Sequence, residues 1–547
     1  MPDRPLARRA VVAFLLLLAA VFLLSLRLYD LAVFEDEARE VLNGQYSRAV
    51  TVAARTGFLY DRTGERISHH AAGGVAVVDP ARVSDKNALL DALSPYTDTP
   101  FAEKLLADEP FTLTLTSLPP LPLPAGASAY PLWRETDGPF LRHLQGYRDG
   151  DGNAVCGLFK RCEDLLADCG GTLSYRYEAD AADNTVFADS FTLFDDGYGT
   201  ESGLVLTVDA GTQRAVEGIL DEGLAMGAAV LADAETGEIR ALASRPAYDP
   251  ANLAASLSSD RGDFLDRTAL AYTPGSVFKL VVAAAALETD DTLLDFSCTC
   301  TGSVTVGGRV FHCHKRDGHG ERTLAAAFAD SCNVYFITLA REIGLAAIAD
   351  TARKMGVGLP HLSAPSPSSL PDRLADAPET YLAGVAFGQG DLAVTPLDMT
   401  SAVIAASTGA YTPLSVVRGV YRDGVLTPFP HDPGSRTLKH HTVRKLREMM
   451  RLCVTDGTGR AAFSDSVLTY GKTATAQSGQ YKDGEEVLHR WFAGCFEAGG
   501  RLYALTVLAD GAADDNENPA LLFRRIAETV AALPVKADGP PFSPRDP

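Results

Sequence analysis

Apolar and polar positions follow a changing period along this chain, and each change predicts a different structure. Ala10 to Leu26 is an uncharged apolar run between Arg8-Arg9 and Arg27-Leu28-Tyr29-Asp30, long enough to cross a bilayer as one helix. From residue 35 to residue 200 no single period holds and Pro and Gly are frequent, as in Leu118-Pro119-Pro120-Leu121-Pro122-Leu123-Pro124. That pattern reads as an irregular α/β module with exposed connections. From Leu204 the pattern sharpens. Leu204 to Val208 predicts a strand, Asp209 a helix N-cap, and Val216, Ile219, Leu220 and Leu224 one face of an amphipathic helix. Ala228 to Ala232 and Ile239 to Ala243 flank Glu235-Thr236-Gly237-Glu238 as the arms of a hairpin. Val277 to Leu287 is apolar on every side apart from Lys279, which predicts a buried helix.

Further helices are expected around Leu324 to Leu345, Pro396 to Ser407 and Ala520 to Leu533, and strands near Val467 to Ala474, Trp491 to Phe496 and Leu502 to Leu508. This order predicts an α+β fold, an antiparallel sheet with helices on its faces. The expected division is a short tail and membrane anchor over 1–34, the irregular module over 35–200, the sheet-and-helix domain over 201–535, and a Pro-rich disordered tail over 536–547.

Composition changes this picture little. At 46% hydrophobic and 22% charged the 547 residues are ordinary globular material, and a formal charge of -21 argues against nucleic acid as a partner. The flanks of the first run say more. Arg8-Arg9 before it and Glu35, Asp36 and Glu37 after it place the N-terminus in the cytoplasm and the remainder outside, in a single-pass protein of the cytoplasmic membrane. A cleaved signal peptide is the competing reading; its apolar run would be shorter and end in small residues, whereas this one meets Arg27-Leu28-Tyr29-Asp30.

Lys279 is the first residue that demands a chemical reason, because an ammonium in an apolar helix is costly unless it is paired, neutralised or used. Ser276 stands one helical turn before it, and Pro274-Gly275 permits a tight entry that leaves the serine at a helix N-terminus. Desolvation, aided by a second cation, would lower the lysine toward neutrality and let it take the serine proton. S-x-x-K also arises by chance, so the companions decide. Ser331-Cys332-Asn333 can present a hydroxyl and an amide to one cleft, and Lys472-Thr473-Ala474-Thr475 sets an ammonium and hydroxyls along a strand.

In order and spacing, Ser276-x-x-Lys279, Ser331-x-Asn333 and Lys472-Thr473-Ala474 resemble the three motifs of the penicillin-recognising serine transpeptidases. Arg55-Thr56-Gly57, Tyr60-Asp61-Arg62, His143-Leu144-Gln145-Gly146-Tyr147, Gly388-Gln389-Gly390, Gly457-Thr458-Gly459 and Trp491-Phe492 with Gly494 extend the likeness to class B penicillin-binding proteins, membrane-anchored enzymes with an N-terminal pedestal. Read without the resemblance, the stretches before residue 200 are plain structural fixed points.

The resemblance implies a peptidoglycan D,D-transpeptidase acting on stem peptides that end in D-Ala-D-Ala and acylated by β-lactams. Ser276 would be the nucleophile and Lys279 its base, Ser331 and Lys472 would pass a proton to the leaving amine, and Asn333 would hold the substrate amide. Thr473 and Thr475 would bind the terminal carboxylate beside Ala474, and the backbone N–H groups of Ser276 and Thr475 would form the oxyanion hole. No cofactor is required, and the implied partner is a polytopic glycan polymerase of the elongation, division or sporulation type. One position departs from the pattern: the family usually has Gly at the place of Ala474, where an added methyl is expected to be tolerated. A D,D-carboxypeptidase or β-lactamase would use the same serine with water as acceptor, and a weakly active scaffold of a cell-wall complex is the reading from another class.

Nine cysteines in an exported chain are unusual. Cys298, Cys300, Cys313, His319 and Cys332 lie between and inside the motifs, with His312 and His314 as neighbours. A Cys300 to Cys313 disulfide suits an oxidising exterior. Alternatively Cys298 or Cys300, with Cys313, His319 and Cys332, offers four soft ligands of the kind a closed structural zinc site takes, Cys300 being the first choice.

Overall fold

The computed structural model describes residues 4–33, 47–68, 70–107, 109–134, 140–149, 152–178, 192–362, 364–370, 377–482, 484–511 and 516–534. The expected tail over 536–547 lies outside them. The first apolar run is a helix, Arg4–Val33, whose residues from Arg8 to Asp30 are all exposed, and it is long and apolar enough to cross a membrane once.

The chain divides into two compact units, and the division is not the expected cut near residue 200. One unit takes 1–56, 70–134 and 170–200; the other takes 57–69, 135–169 and everything from 201 on. The smaller unit holds two three-stranded sheets. In one, Ser47–Arg55 pairs antiparallel with Gly171–Glu178, which pairs with Thr192–Asp196; in the other, His70–Val78 lies between Phe111–Leu115 and Ala127–Arg134. Val78, Leu89, Leu93, Phe101, Leu105 and Leu113 fill one of its cores. Arg55 is buried, donating to the carbonyls of Tyr198 at 3.0 Å and Gly197 at 2.8 Å, so the arginine of Arg55-Thr56-Gly57 is a structural pin.

The larger unit is built on a five-stranded antiparallel sheet in the order Ile239–Arg245, Gly227–Asp233, Arg501–Ala509, Glu485–Ala498, Thr469–Lys482. Alternate residues of its strands enter different cores. Ala229, Leu231, Phe492 and Leu505 pack with Val216, Leu220, Phe523 and Ile526 from the helices Ala210–Gly223 and Pro519–Ala532. Val230, Ala232, Ala493 and Leu508 face the other way, into the core shared by the helices Lys279–Thr289, Pro396–Thr408 and His440–Thr455. Burial on both faces is why these strands read as continuous apolar runs. The central helix is buried without interruption from Lys279 to Leu287, as its pattern predicts.

Three local features differ from the sequence reading. Two late strands run longer than expected, one to Lys482 and the next from Glu485, because they continue together as a hairpin beyond the apolar part. The stretch from Leu324 breaks at Ser331 into Leu324–Ala329 and Asn333–Lys354. Two short antiparallel pairs, Ser297–Cys300 with Gly320–Thr323 and, between them in the chain, the hairpin of Ser303–Val306 with Arg309–His312, carry the cysteine-rich segment.

The early motifs also find structural work in this unit. Phe58–Tyr60 adds in parallel to Ser202–Leu206, and the Asp61 carboxylate accepts from the backbone N–H groups of Thr63, Glu65 and Ala210, tying the turn to the helix Ala210–Gly223. In His143-Leu144-Gln145-Gly146-Tyr147, His143 Nε2 lies 2.8 Å from the Asp263 carbonyl, and the Leu141 N–H that opens this turn donates to Glu217 Oε1 at 2.7 Å.

Candidate active site

Ser276 lies half-buried in a 3-10 turn, Gly275–Phe278, that runs directly into the helix Lys279–Thr289. Gly275 makes the turn possible. Its φ is 56°, and a Cβ there would stand 2.9 Å from the Ala476 Cβ and 3.3 Å from the Ala474 Cβ. The Ser276 turn therefore rests on the edge strand Thr469–Lys482, which a side chain at 275 would prevent. Two further contacts fix it: the Gly275 N–H donates to the Gly388 carbonyl at 2.8 Å, and the Trp491 indole N–H donates to the Thr273 carbonyl at 3.1 Å. A Cβ on Gly388 would meet the Gly275 carbonyl oxygen at 1.9 Å, which is the physical reason for glycine in Gly388-Gln389-Gly390.

Lys279 is wholly buried, and its Nζ donates to the Ser331 carbonyl at 2.7 Å, to Asn333 Oδ1 at 2.7 Å and to Ser331 Oγ at 3.2 Å, with the Phe336 ring centroid at 5.4 Å. The amine is thus bonded to the second motif, and among the described residues no hydrogen bond engages the Ser276 hydroxyl. Burial, and after it the charge of Lys472, hold the Lys279 amine well below the ordinary lysine range. The second cation expected from the sequence is therefore Lys472.

Ser331 sits in the break between two helices with φ at 57°, a left-handed conformation that is costly for a residue with a side chain. The Ser331 N–H donates to the Phe328 carbonyl at 3.2 Å, and the Cys332 N–H to that of Ala327 at 2.8 Å. Asn333 opens the next helix, and its Nδ2 donates to the His312 carbonyl at 3.1 Å.

The third motif lies on the edge strand. Lys472 is buried, and burial lowers its amine too; its Nζ donates to the Thr473 carbonyl at 3.1 Å and to Thr458 Oγ1 at 3.3 Å, with the Phe328 ring centroid at 5.9 Å. Thr473 Oγ1 lies 2.7 Å from Thr458 Oγ1. Thr475 is exposed on the same strand. Ala474 is buried, its methyl against the Gly275 turn and its backbone opposite Trp491 in the register with Glu485–Ala498. Thr458 is the residue that sequence reasoning missed, since Gly457-Thr458-Gly459 marked the place without giving the hydroxyl a role.

The structure also brings Cys300, Cys313, His319 and Cys332 together, with one ligand atom of each within 4.8 Å of all the others. Cys298 is outside this group. Cys300 and Cys313 are unbridged thiols, so the alternative of a disulfide between them is not formed. Cys313 Sγ lies 3.9 Å from Cys332 Sγ and 3.4 Å from His319 Nδ1. Two sulfurs bound tetrahedrally to one zinc ion stand about 3.8 Å apart, and a sulfur and an imidazole nitrogen about 3.6 Å. The donors fit that geometry. The hydrogen bond with Cys332 pulls the Cys313 thiol down and pushes Cys332 up, while burial lowers His319 and keeps its imidazole neutral, as a metal ligand must be. His314 Nδ1 is 4.0 Å from Cys313 Sγ, and His312 enters the site only through its carbonyl.

Residues 227–528 match the model of the penicillin binding protein transpeptidase domain. Stage V sporulation protein D of Bacillus subtilis (strain 168) is 30% identical over 361 residues, which are 64% of this chain and 54% of that protein, so the match spans about half of its length. Peptidoglycan D,D-transpeptidase MrdA of Haemophilus influenzae is 23% identical over 604 residues, covering 95% of this chain and 91% of that one. A solved structure described as "Structural coordination of polymerization and crosslinking by a peptidoglycan synthase complex" superposes with a TM-score of 0.66 at 23% identity, covering 96% of this chain and 98% of that one. That likeness is one of fold.

Proposed function

Since the chain belongs to the penicillin-binding protein transpeptidase family, we propose that it is a serine D,D-transpeptidase that cross-links peptidoglycan stem peptides through an acyl group on Ser276. The observation that carries the reading is the fully buried Lys279 amine, bonded to Ser331 and Asn333 with a second buried lysine as its electrostatic neighbour. As a neutral amine Lys279 keeps two N–H bonds, which the Ser331 carbonyl and Asn333 Oδ1 accept at 2.7 Å each, and its lone pair is left for a hydroxyl proton.

The Ser276 oxygen attacks the carbonyl of the penultimate D-Ala as Lys279 removes its proton. The backbone N–H groups of Ser276 and Thr475 receive the oxyanion; the support is the rest of the 275 turn on residues 474 and 476, and each donor is worth about 3 kcal/mol. Collapse breaks the peptide bond, and the proton passes from Lys279 through Ser331 Oγ, 3.2 Å away, to the departing D-Ala amine. Asn333 holds the donor peptide's amide, and Thr473 and Thr475 face its terminal carboxylate near Lys472. The amine of a neighbouring stem peptide then attacks the ester and restores the serine. β-Lactams occupy the same path and leave slowly. Ala474 is tolerated because its methyl fills the space left by Gly275.

The helix Arg4–Val33 fits a single-pass anchor with the N-terminus inside and the chain that follows the helix outside, and the partner we propose is a polytopic glycan polymerase in the same membrane. Intact-mass measurement after exposure to penicillin tests the chemistry. One penicillin equivalent adds to the wild type and none to Ser276→Ala; an unmodified wild type, or equal labelling of both, would overturn the assignment.

The proposal includes one structural zinc held by Cys300, Cys313, His319 and Cys332, which would brace the turn between Ser331 and Asn333 and take no part in the reaction. Protein purified without chelator should carry one zinc per chain, and Cys313→Ser should lose it. Absence of stoichiometric zinc from the wild type rejects the site while leaving the acyl-transfer chemistry untouched.

A further inference from the structure

We infer that Thr458 is a further positioning residue of the proposed acyl-transfer site, setting the direction in which the Thr473 hydroxyl donates to the substrate's carboxylate. The inference rests on the transpeptidase reading and deepens it. Thr458 lies in the turn after the helix His440–Thr455, is exposed, and has its backbone N–H on the Ala329 carbonyl at 3.1 Å, two residues before Ser331. Its hydroxyl lies 2.7 Å from Thr473 Oγ1 and 3.3 Å from Lys472 Nζ. One residue therefore ties the third motif, through its side chain, to the segment just before the second, through its backbone.

The donor inventory orients the lysine end of this chain, and nearness orients the other. A lysine ammonium has donors and no acceptor, so Thr458 Oγ1 must accept from Lys472. A hydroxyl carries one proton, and the nearest acceptor for that of Thr458 is Thr473 Oγ1 at 2.7 Å; Cys453 Sγ, at 3.6 Å, is farther and weaker. With Thr473 accepting from Thr458, its own proton remains for a group arriving in the cleft. Lys472 Nζ also donates directly to Thr473 Oγ1 at 3.5 Å, so donation runs from Lys472 to Thr473 by a long direct bond and by the shorter relay through Thr458, and then outward, the arrangement that receives an anion and rejects a second donor. Without the Thr458 hydroxyl, Thr473 Oγ1 loses the donor at 2.7 Å that keeps its own proton turned outward.

The test compares wild type, Thr458→Val and Thr458→Ser in full-length protein, following acylation over a range of concentrations of benzylpenicillin and of its methyl ester, which has the same reactive ring without the anionic carboxylate. Thr458→Val should acylate with benzylpenicillin at least tenfold more slowly, the loss appearing in the half-saturating concentration, and within twofold of wild type with the ester. Thr458→Ser should restore the benzylpenicillin rate to within threefold. Equal losses for acid and ester, a loss below twofold for the acid, or a serine variant as poor as the valine would each overturn the assignment. A wild type that neither compound acylates would overturn the transpeptidase reading instead.

Discussion

Two lysines with no solvent contact share this site, and elementary electrostatics sets their order of deprotonation. Lys279 is lowered by burial and then by the charge of Lys472, whereas at Lys472 burial is the one cause that lowers the amine. Because the base must be neutral, acylation should rise with pH through the Lys279 pKa, and that rising limb should lie well below the ordinary lysine range. Replacing Lys472 by Met removes a positive charge that disfavours the second ammonium, so the Lys279 pKa rises and the limb moves to higher pH. Penicillin acylation rates measured against pH for wild type and Lys472→Met check this; weakened carboxylate binding lowers the amplitude, so the midpoint is what matters, and a midpoint that stays or falls refutes the coupling. Lys279 was legible in the sequence because one charge in an apolar helix contradicts its surroundings. Thr458 was not, because its meaning lies in contacts with residues 14 and 15 positions later on a strand.

At the scale of elements, the site exists where a turn, a helix break and an edge strand meet, and glycine decides whether they can. Gly275 has a left-handed φ and space for no Cβ against residues 474 and 476. Gly275→Ala should cost about 1–3 kcal/mol through its backbone conformation alone. The added contact then pushes the Ser276 turn off the edge strand, so acylation should fall by more than the loss of stability explains. Thermal unfolding and penicillin labelling in parallel separate the two, and labelling that tracks the folded fraction would argue against a role in seating the nucleophile. The long helices and the inner sheet strands were readable from period and burial. The helix break at Ser331 was readable only as a motif, since its left-handed φ has no signature in a serine. The two antiparallel pairs of the cysteine-rich segment are built of four-residue strands, too short for a period to form, yet they bring Cys300, Cys313 and His319 to Cys332.

For the whole molecule, the division into units says which parts of the chain the catalytic fold cannot do without. Periodicity sharpens at Leu204, and a boundary near residue 200 is the natural inference, yet segments 57–69 and 135–169 belong to the larger unit. They supply Phe58–Tyr60 as the parallel partner of Ser202–Leu206, and they bury Leu59, Ile67, Leu141, Leu144, Leu158, Phe159 and Leu166 in its main core. A fully buried side chain of this kind contributes about 1.5–3 kcal/mol. Seven of them amount to roughly the whole net stability of a domain, about 5–15 kcal/mol. The same segments lacked a readable period because each is a short insert whose partners lie beyond residue 200: Leu141 is held by Glu217, and Asp61 by Ala210. A chain beginning at residue 201 should therefore be insoluble or melt without cooperativity, and should take up no penicillin, whereas one beginning at residue 47 should fold and be acylated at Ser276. Soluble yield, thermal unfolding and labelling of both chains decide it. If the shorter chain melts cooperatively within a few degrees of the longer one and labels equally, the early segments are appendages and the catalytic fold does begin near residue 201.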